Sequence, residues 1–227
     1  MTLDFVVITR SLPYLWQGFA YTLELTVVAA LGGLVFGTFL ALMRLSSNRY
    51  VSGAASAYVN LMRSIPLVLV LFWFFFLMPQ VLQFLTGAER PPPIGAERTA
   101  LITFVMFQAA YYCEIMRAGI QSIPKGQVYS AYALGLNYGQ AMWLVILPQA
   151  FRNMIPVLLT QTIILFQDTS LVYVISGTDF TGAASKIAQR DGRLVEMYLF
   201  VAAVYFVLCY ALSCVVKRVQ LKTAVIR

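Results

Sequence analysis

The chain has 227 residues, 60% of them hydrophobic and 11% charged, with 16 basic against 9 acidic side chains and no histidine. A mean hydropathy of +0.78 leaves too little polar surface for a water-soluble domain of this size. The missing histidines remove the usual zinc, haem and acid–base sites, and a formal charge of +7 fits basic inner loops of a membrane protein better than a nucleic-acid surface.

In hydrocarbon every backbone N–H and C=O must find an internal partner, which leaves helices or a closed barrel. Barrel strands alternate apolar and polar residues, whereas residues 25–43 are continuously apolar or small, so helices are expected. Residues 1–17 lack the basic flank and small-residue cleavage site of a signal peptide and read as an amphipathic lead-in. About 20 residues cross a bilayer, and spans are expected at 19–43 and 57–78. Residues 86–98 follow as a loop that Pro91, Pro92 and Pro93 keep from being helical throughout. A third span covers 99–118, a fourth 154–175 (interrupted by Gln161, Gln167 and Asp168) and a fifth 194–216, after a glycine-rich, charged loop at 176–193. Cys113, Cys209 and Cys214 sit in apolar segments without metal-like spacing and read as small buried hydrophobes.

Charge fixes the expected orientation. With the N-terminus outside, the inner side holds Arg44, Arg49, Arg63, Arg117, Lys125, Arg152, Lys217, Arg218, Lys222 and Arg227 and no acidic residue. On the outer side Arg10, Arg90, Arg98, Lys186, Arg190 and Arg193 are cancelled by Asp4, Glu89, Glu97, Asp179, Asp191 and Glu196. The positive-inside rule therefore puts the N-terminus outside and the C-terminus in the cytoplasm. Glu24, near the outer end of the first span, can snorkel to water.

Residues 124–148 form an inner loop with a helix–turn–helix pattern, few charges, and Gly135 and Gly139 where a tight turn needs glycine. Tyr129, Tyr132, Leu134 and Leu136 would make it a poorly soluble surface on its own, so it is expected to dock on a partner.

That loop resembles the EAA loop of type I ABC importer permeases, whose pattern is Glu-Ala-Ala, three residues, Gly, nine residues, then Ile-x-Leu-Pro. Gly135 takes the glycine position and Val145, Leu147 and Pro148 the last three; Tyr129-Ser130-Ala131 stands at the triplet, without its acid. Arg63-Ser64-Ile65-Pro66-Leu67, Glu114-Ile115 with Arg117-Ala118-Gly119-Ile120, Pro124-Lys125-Gly126-Gln127, Leu147-Pro148-Gln149-Ala150 and Asp168-Thr169-Ser170-Leu171 are similar to the polar amino acid branch, in order along most of the chain. The resemblance implies an all-α polytopic permease, residues 1–227 as one domain, in the bacterial inner membrane. It implies a second permease subunit, identical or a sister chain, a cytoplasmic ABC ATPase dimer and a periplasmic amino-acid-binding protein, with acidic amino acids as cargo. No Gly-x-x-x-x-Gly-Lys-[Ser/Thr] loop is present, so ATP hydrolysis would fall to the partner and no enzyme activity, cofactor or metal is expected of this chain. The coupling surface implied is Gly126, Gln127, Tyr129, Ser130, Ala131, Leu134, Gly135, Leu136, Leu147 and Pro148, presented by a short apolar helix to a groove on the ATPase.

Candidate pathway residues are Asp168, Glu114, Gln161, Thr160 and Gln108. A carboxylate such as Asp168 within a span costs about 3 kcal/mol unless paired or wetted; it reads either as an anion for a cargo ammonium or as a structural pair. Glu114 either serves cargo or pairs with Arg117 one turn on. Arg117 and Arg152 are candidates to meet a cargo carboxylate, or inner-leaflet anchors, and the glutamines and threonines either line a path or glue helices together. Gly33 and Gly37 permit close helix approach, and Pro66 and Pro156 read either as residues near helix starts, the simpler expectation, or as bends that matter for gating. An autonomous channel or secondary carrier is the alternative function, but no repeat relates the two halves of the chain.

Overall fold

The computed structural model describes residues 6–223; Asp4 and Arg227, counted above in the charge balance, lie outside them. Among the described residues every regular element is helical, in the order α1 (Val6–Arg44), α2 (Arg49–Ser64), α3 (Leu67–Thr86), α4 (Ala96–Gln121), α5 (Lys125–Ala133), α6 (Tyr138–Ala141), a π-helical turn (Met142–Ile146), α7 (Leu147–Asp168), a 3₁₀ segment (Thr169–Ile175), α8 (Phe180–Asp191) and α9 (Leu194–Thr223). Among the described residues five stretches are long and apolar enough to cross a membrane: Val6–Arg44, Leu67–Thr86, Ala96–Gln121, Tyr138–Ile175 and Leu194–Lys222.

The spans expected at 99–118 and 194–216 lie inside α4 and α9, and the one at 154–175 runs from α7 into the 3₁₀ segment. Residues 57–78, however, are not one helix. Pro66 has no N–H to donate and forces its predecessor out of the helical region; Ile65 is extended (φ −114°, ψ 136°) and the chain breaks into α2 and α3. The apolar crossing is therefore α3, about nine residues later than expected, and α2 is an amphipathic segment before it. Asn48 starts α2 by accepting bonds from the Tyr50 and Val51 amides. Pro156 also departs from expectation, lying inside α7 instead of near its start.

Lipid supplies no hydrophobic force between helices, so close packing of small residues must hold the bundle. The central pair is α1 with α4. A methyl group on Gly37 would sit 2.8 Å from the Ala109 carbonyl oxygen, and one on Gly33 3.0 Å from the Gln108 side chain. Gly33 and Gly37 thus do bring two backbones together. Thr26, Thr38 and Thr103 return their hydroxyl protons to carbonyls one turn back, which satisfies them without water. Around this pair, Leu25, Ala29, Leu71, Phe104 and Leu165 fill the main core.

The charged 176–193 segment holds a helix that its composition did not suggest. Asp179 caps α8, accepting from the Thr181 and Gly182 amides at 2.9 and 3.2 Å while fully buried. Burial pushes its carboxyl up to about 6 against the opposing pull of those amides. Gly18 of α1 leaves room for the Asp179 carbonyl and the Ala183 methyl, so the first third of α1 lies along α8.

Candidate functional site

The loop between α4 and α7 is built around one turn. Gly135 has φ +81°, a left-handed conformation that costs other residues. It closes α5 in a Schellman arrangement: the Gly135 amide donates to the Tyr132 carbonyl at 2.9 Å and the Leu136 amide to the Ala131 carbonyl at 3.1 Å. The next helix opens with a capping box, Asn137 and Gln140 each accepting the other's amide. Gly139 is not a turn residue; it is helical within α6, because Asn137 already ends the turn. Pro148 cannot donate to the carbonyl four residues back, and the helix accommodates it by a π turn in which the Leu147 amide reaches the Met142 carbonyl.

The residues expected to couple divide by face. Ala131 is buried, and Ile123, Val128, Ile146 and Ala150 tie the loop to the ends of α4 and α7. Gly126, Gln127, Ser130 and Pro148 are exposed, as are Tyr129 (64%) and Leu134 (81%), while Leu136 and Leu147 are half-buried. Trp143 and Leu144 extend the apolar surface along the π turn. These side chains leave a contiguous apolar face exposed at the end of the loop.

The polar candidates do not gather at one point. Gln108 of α4 is 2% exposed, and the Gln161 Nε2 of α7 approaches its Oε1 at 3.5 Å. The Gln108 Nε2 is buried without a partner, an orphan that a polar ligand would satisfy. One turn away the Tyr112 and Thr162 hydroxyls share a bond of 2.7 Å. Asp168 lies seven residues beyond Gln161, hence on the same face of α7 and about 10 Å along it. It is half-buried, and its carboxylate makes no hydrogen bond or ion pair among the described residues. Thr160 bonds the Pro156 carbonyl and is exposed on the outside of the bundle, away from Gln108.

Glu114 stands apart from this seam. Its Oε2 accepts from Arg44 Nη1 at 2.5 Å and Arg117 Nε at 3.2 Å, its Oε1 accepts from Arg117 Nη2, and Arg63 Nη1 lies 3.6 Å from Oε2. Pairing with Arg117 was legible from the i, i+3 spacing; the arginines of α1 and α2 were not, because no local pattern links positions 44, 63 and 114. Arg117 also bonds Gln121, and Arg152 is exposed.

Comparison with known proteins gives a consistent picture. Residues 33–225 match the model of the family described as "Binding-protein-dependent transport system inner membrane component". The chain is 52% identical over 221 residues to the glutamate/aspartate import permease protein GltK of Escherichia coli O157:H7, covering 97% of this chain and 98% of that one. It is 34% identical over 222 residues to the arginine transport system permease protein ArtQ of Bacillus subtilis, covering 98% of each. Among solved structures, "an amino acid ABC transporter with histidines" aligns with a TM-score of 0.88 at 32% identity, covering 98% of this chain and all of that one. An inward-facing MetNI methionine ABC transporter shares the fold, with a TM-score of 0.74 at 20% identity over 93% of this chain and 97% of that one.

Proposed function

The chain belongs to the binding-protein-dependent transport system inner membrane component family, and we propose that it carries acidic amino acids, glutamate or aspartate, inward along the seam between α4 and α7. It is an inner-membrane permease subunit of an amino acid ABC importer and not itself an enzyme; the family implies a separate ATPase and a substrate-binding protein as partners. The cargo reading rests on the 52% identity to the glutamate/aspartate permease over nearly the whole of both chains.

In this proposal the basic end of the bundle is cytoplasmic, as the positive-inside rule favours, and two permease subunits, identical or sisters, enclose the path. Asp168 offers an anion to the cargo ammonium near the outer end of α7, and the amides of Gln161 and Gln108 replace its hydration further in. Thr160, on the outer surface of this chain, faces the second permease. Glu114 holds the ends of α1, α2 and α4 together as one unit. The exposed face of α5, its Gly135 turn and the start of α7 seat in the ATPase, so that nucleotide-driven closure tilts α7 and switches access from one side to the other.

The carrying observation is that Asp168, Gln161 and Gln108 lie along one α4–α7 seam with unsatisfied polar groups. Uptake of a panel of radiolabelled amino acids into proteoliposomes holding the complete transporter tests it. Glutamate and aspartate should lead the panel; preference for a neutral or basic amino acid would refute the cargo assignment.

A further inference from the structure

The arginine cluster at the basic end carries more positive charge than it uses. Arg44, Arg63 and Arg117 surround one carboxylate, Glu114, a net charge of +2 in a site whose side chains are 14–38% exposed. Arg44 and Arg117 between them occupy both Glu114 oxygens. Arg63 is left over: its guanidinium, with five donors, makes no hydrogen bond among the described residues. It lies 3.6 Å from Glu114 Oε2, and its Cζ stands 5.6 Å from the centre of the Tyr111 ring, which fixes its direction by a cation–π contact.

Position ties this spare guanidinium to the pathway. Arg63 is in the last turn of α2, directly before the break at Ser64–Pro66. Tyr111, which it overlies, is three residues from Gln108 on α4, and residues so spaced are surface neighbours. Gln108 in turn faces Gln161, and Asp168 lies two helical turns beyond that. The order along the bundle is therefore a carboxylate without a partner, a pair of amides, then a guanidinium that shares Glu114 with two other arginines and keeps its hydrogen-bond donors unused. Glutamate is too short to bridge the ends at once, so it would meet them in turn.

We propose that Arg63 is the inner carboxylate-binding residue of the path: it receives a carboxylate of the acidic amino acid as the cargo passes the Gln108–Gln161 pair. A guanidinium with a free planar fork suits a carboxylate bidentately. Arg44 and Arg117 keep the neighbouring Glu114 occupied, so it does not repel the incoming anion. This inference rests on the acidic cargo proposed above.

The test uses the assembled transporter with its ATPases in nanodiscs, without the binding protein, titrated with radiolabelled glutamate. The variants are R63Q and R63K, with size-exclusion profiles recording whether the ATPases stay attached. R63Q should weaken glutamate binding by about ten-fold or more, and R63K should recover part of it, with assembly retained in both. Unchanged glutamate binding in R63Q would overturn the assignment. So would loss of the ATPases in step with binding, which would make Arg63 a structural latch, or a site whose occupancy follows the phosphatidylglycerol content of the nanodisc in place of glutamate. If wild-type proteoliposomes take up glutamate while the wild-type nanodisc binds none, the Arg63 site falls and the cargo reading stands. If they take up no acidic amino acid, the cargo reading falls and takes this site with it.

Discussion

Replacing Gly135 by valine isolates the contribution of the loop turn. A Cβ at this position meets nothing within 4 Å, so the substitution creates no clash and acts only through the backbone, whose φ is +81°. A non-glycine residue in the left-handed region costs about 1–3 kcal/mol, and a β-branched one lies at the upper end. Relief of that strain requires breaking the Gly135–Tyr132 and Leu136–Ala131 bonds that close α5. A cost of about 2 kcal/mol shifts the balance between docked and released α5 by roughly 30-fold. Asparagine tolerates the left-handed region far better, so Gly135→Asn is the matched control. The assay is the number of amino acids imported per ATP hydrolysed in proteoliposomes. Gly135→Val should lower that ratio by about ten-fold while the protein still inserts, and Gly135→Asn should keep most of it. A wild-type ratio in Gly135→Val would refute the claim that this turn transmits the ATPase stroke.

Three other perturbations probe different parts of the account. Gly37→Leu drives a side chain into the Ala109 carbonyl of α4 and should destabilise the bundle by about 1–3 kcal/mol, whereas Gly53→Ala, with open space around it, should leave melting in detergent unchanged or raise it. Asp179 has a carboxyl raised to about 6 from an ordinary 3.8; the fold therefore binds its proton more tightly than the unfolded chain does. Its contribution to stability is fully present below about pH 4 and declines as pH rises through about 6. Hydrogen exchange at the α8 amides should accordingly slow between pH 6.5 and 4.5 after correction for intrinsic rates, and Asp179→Asn should flatten that change. Asp168→Asn should abolish or retarget uptake with assembly intact; unchanged uptake kinetics would remove Asp168 from the path.

Fold class, span number and the helix–turn–helix shape of the 124–148 loop were legible in the sequence because each depends on local chemistry. Long apolar runs have one solution in lipid, and Gly135 followed by Asn137 and Gln140 is a complete stop-and-start signal. The second span was misplaced because hydropathy continues across Pro66 while the backbone does not. Helix α8 was hidden by its low hydrophobicity, although Asp179 ahead of it has the chemistry of a cap. For the site, sequence identifies Gln108, Gln161 and Asp168 as polar groups in apolar surroundings but cannot tell that the first two meet across helices while Thr160 points away. The Glu114 cluster joins three helices separated by up to 70 residues of chain, and only the packing of α1 and α2 on α4 brings its arginines together.

The central claim is that this chain forms a passage whose driving force comes from elsewhere. Reconstituting the importer and leaving out one component at a time, with labelled glutamate uptake as readout, tests it most directly. Uptake should require ATP, the ATPase and the binding protein together; sustained accumulation by the permease subunits alone would contradict it.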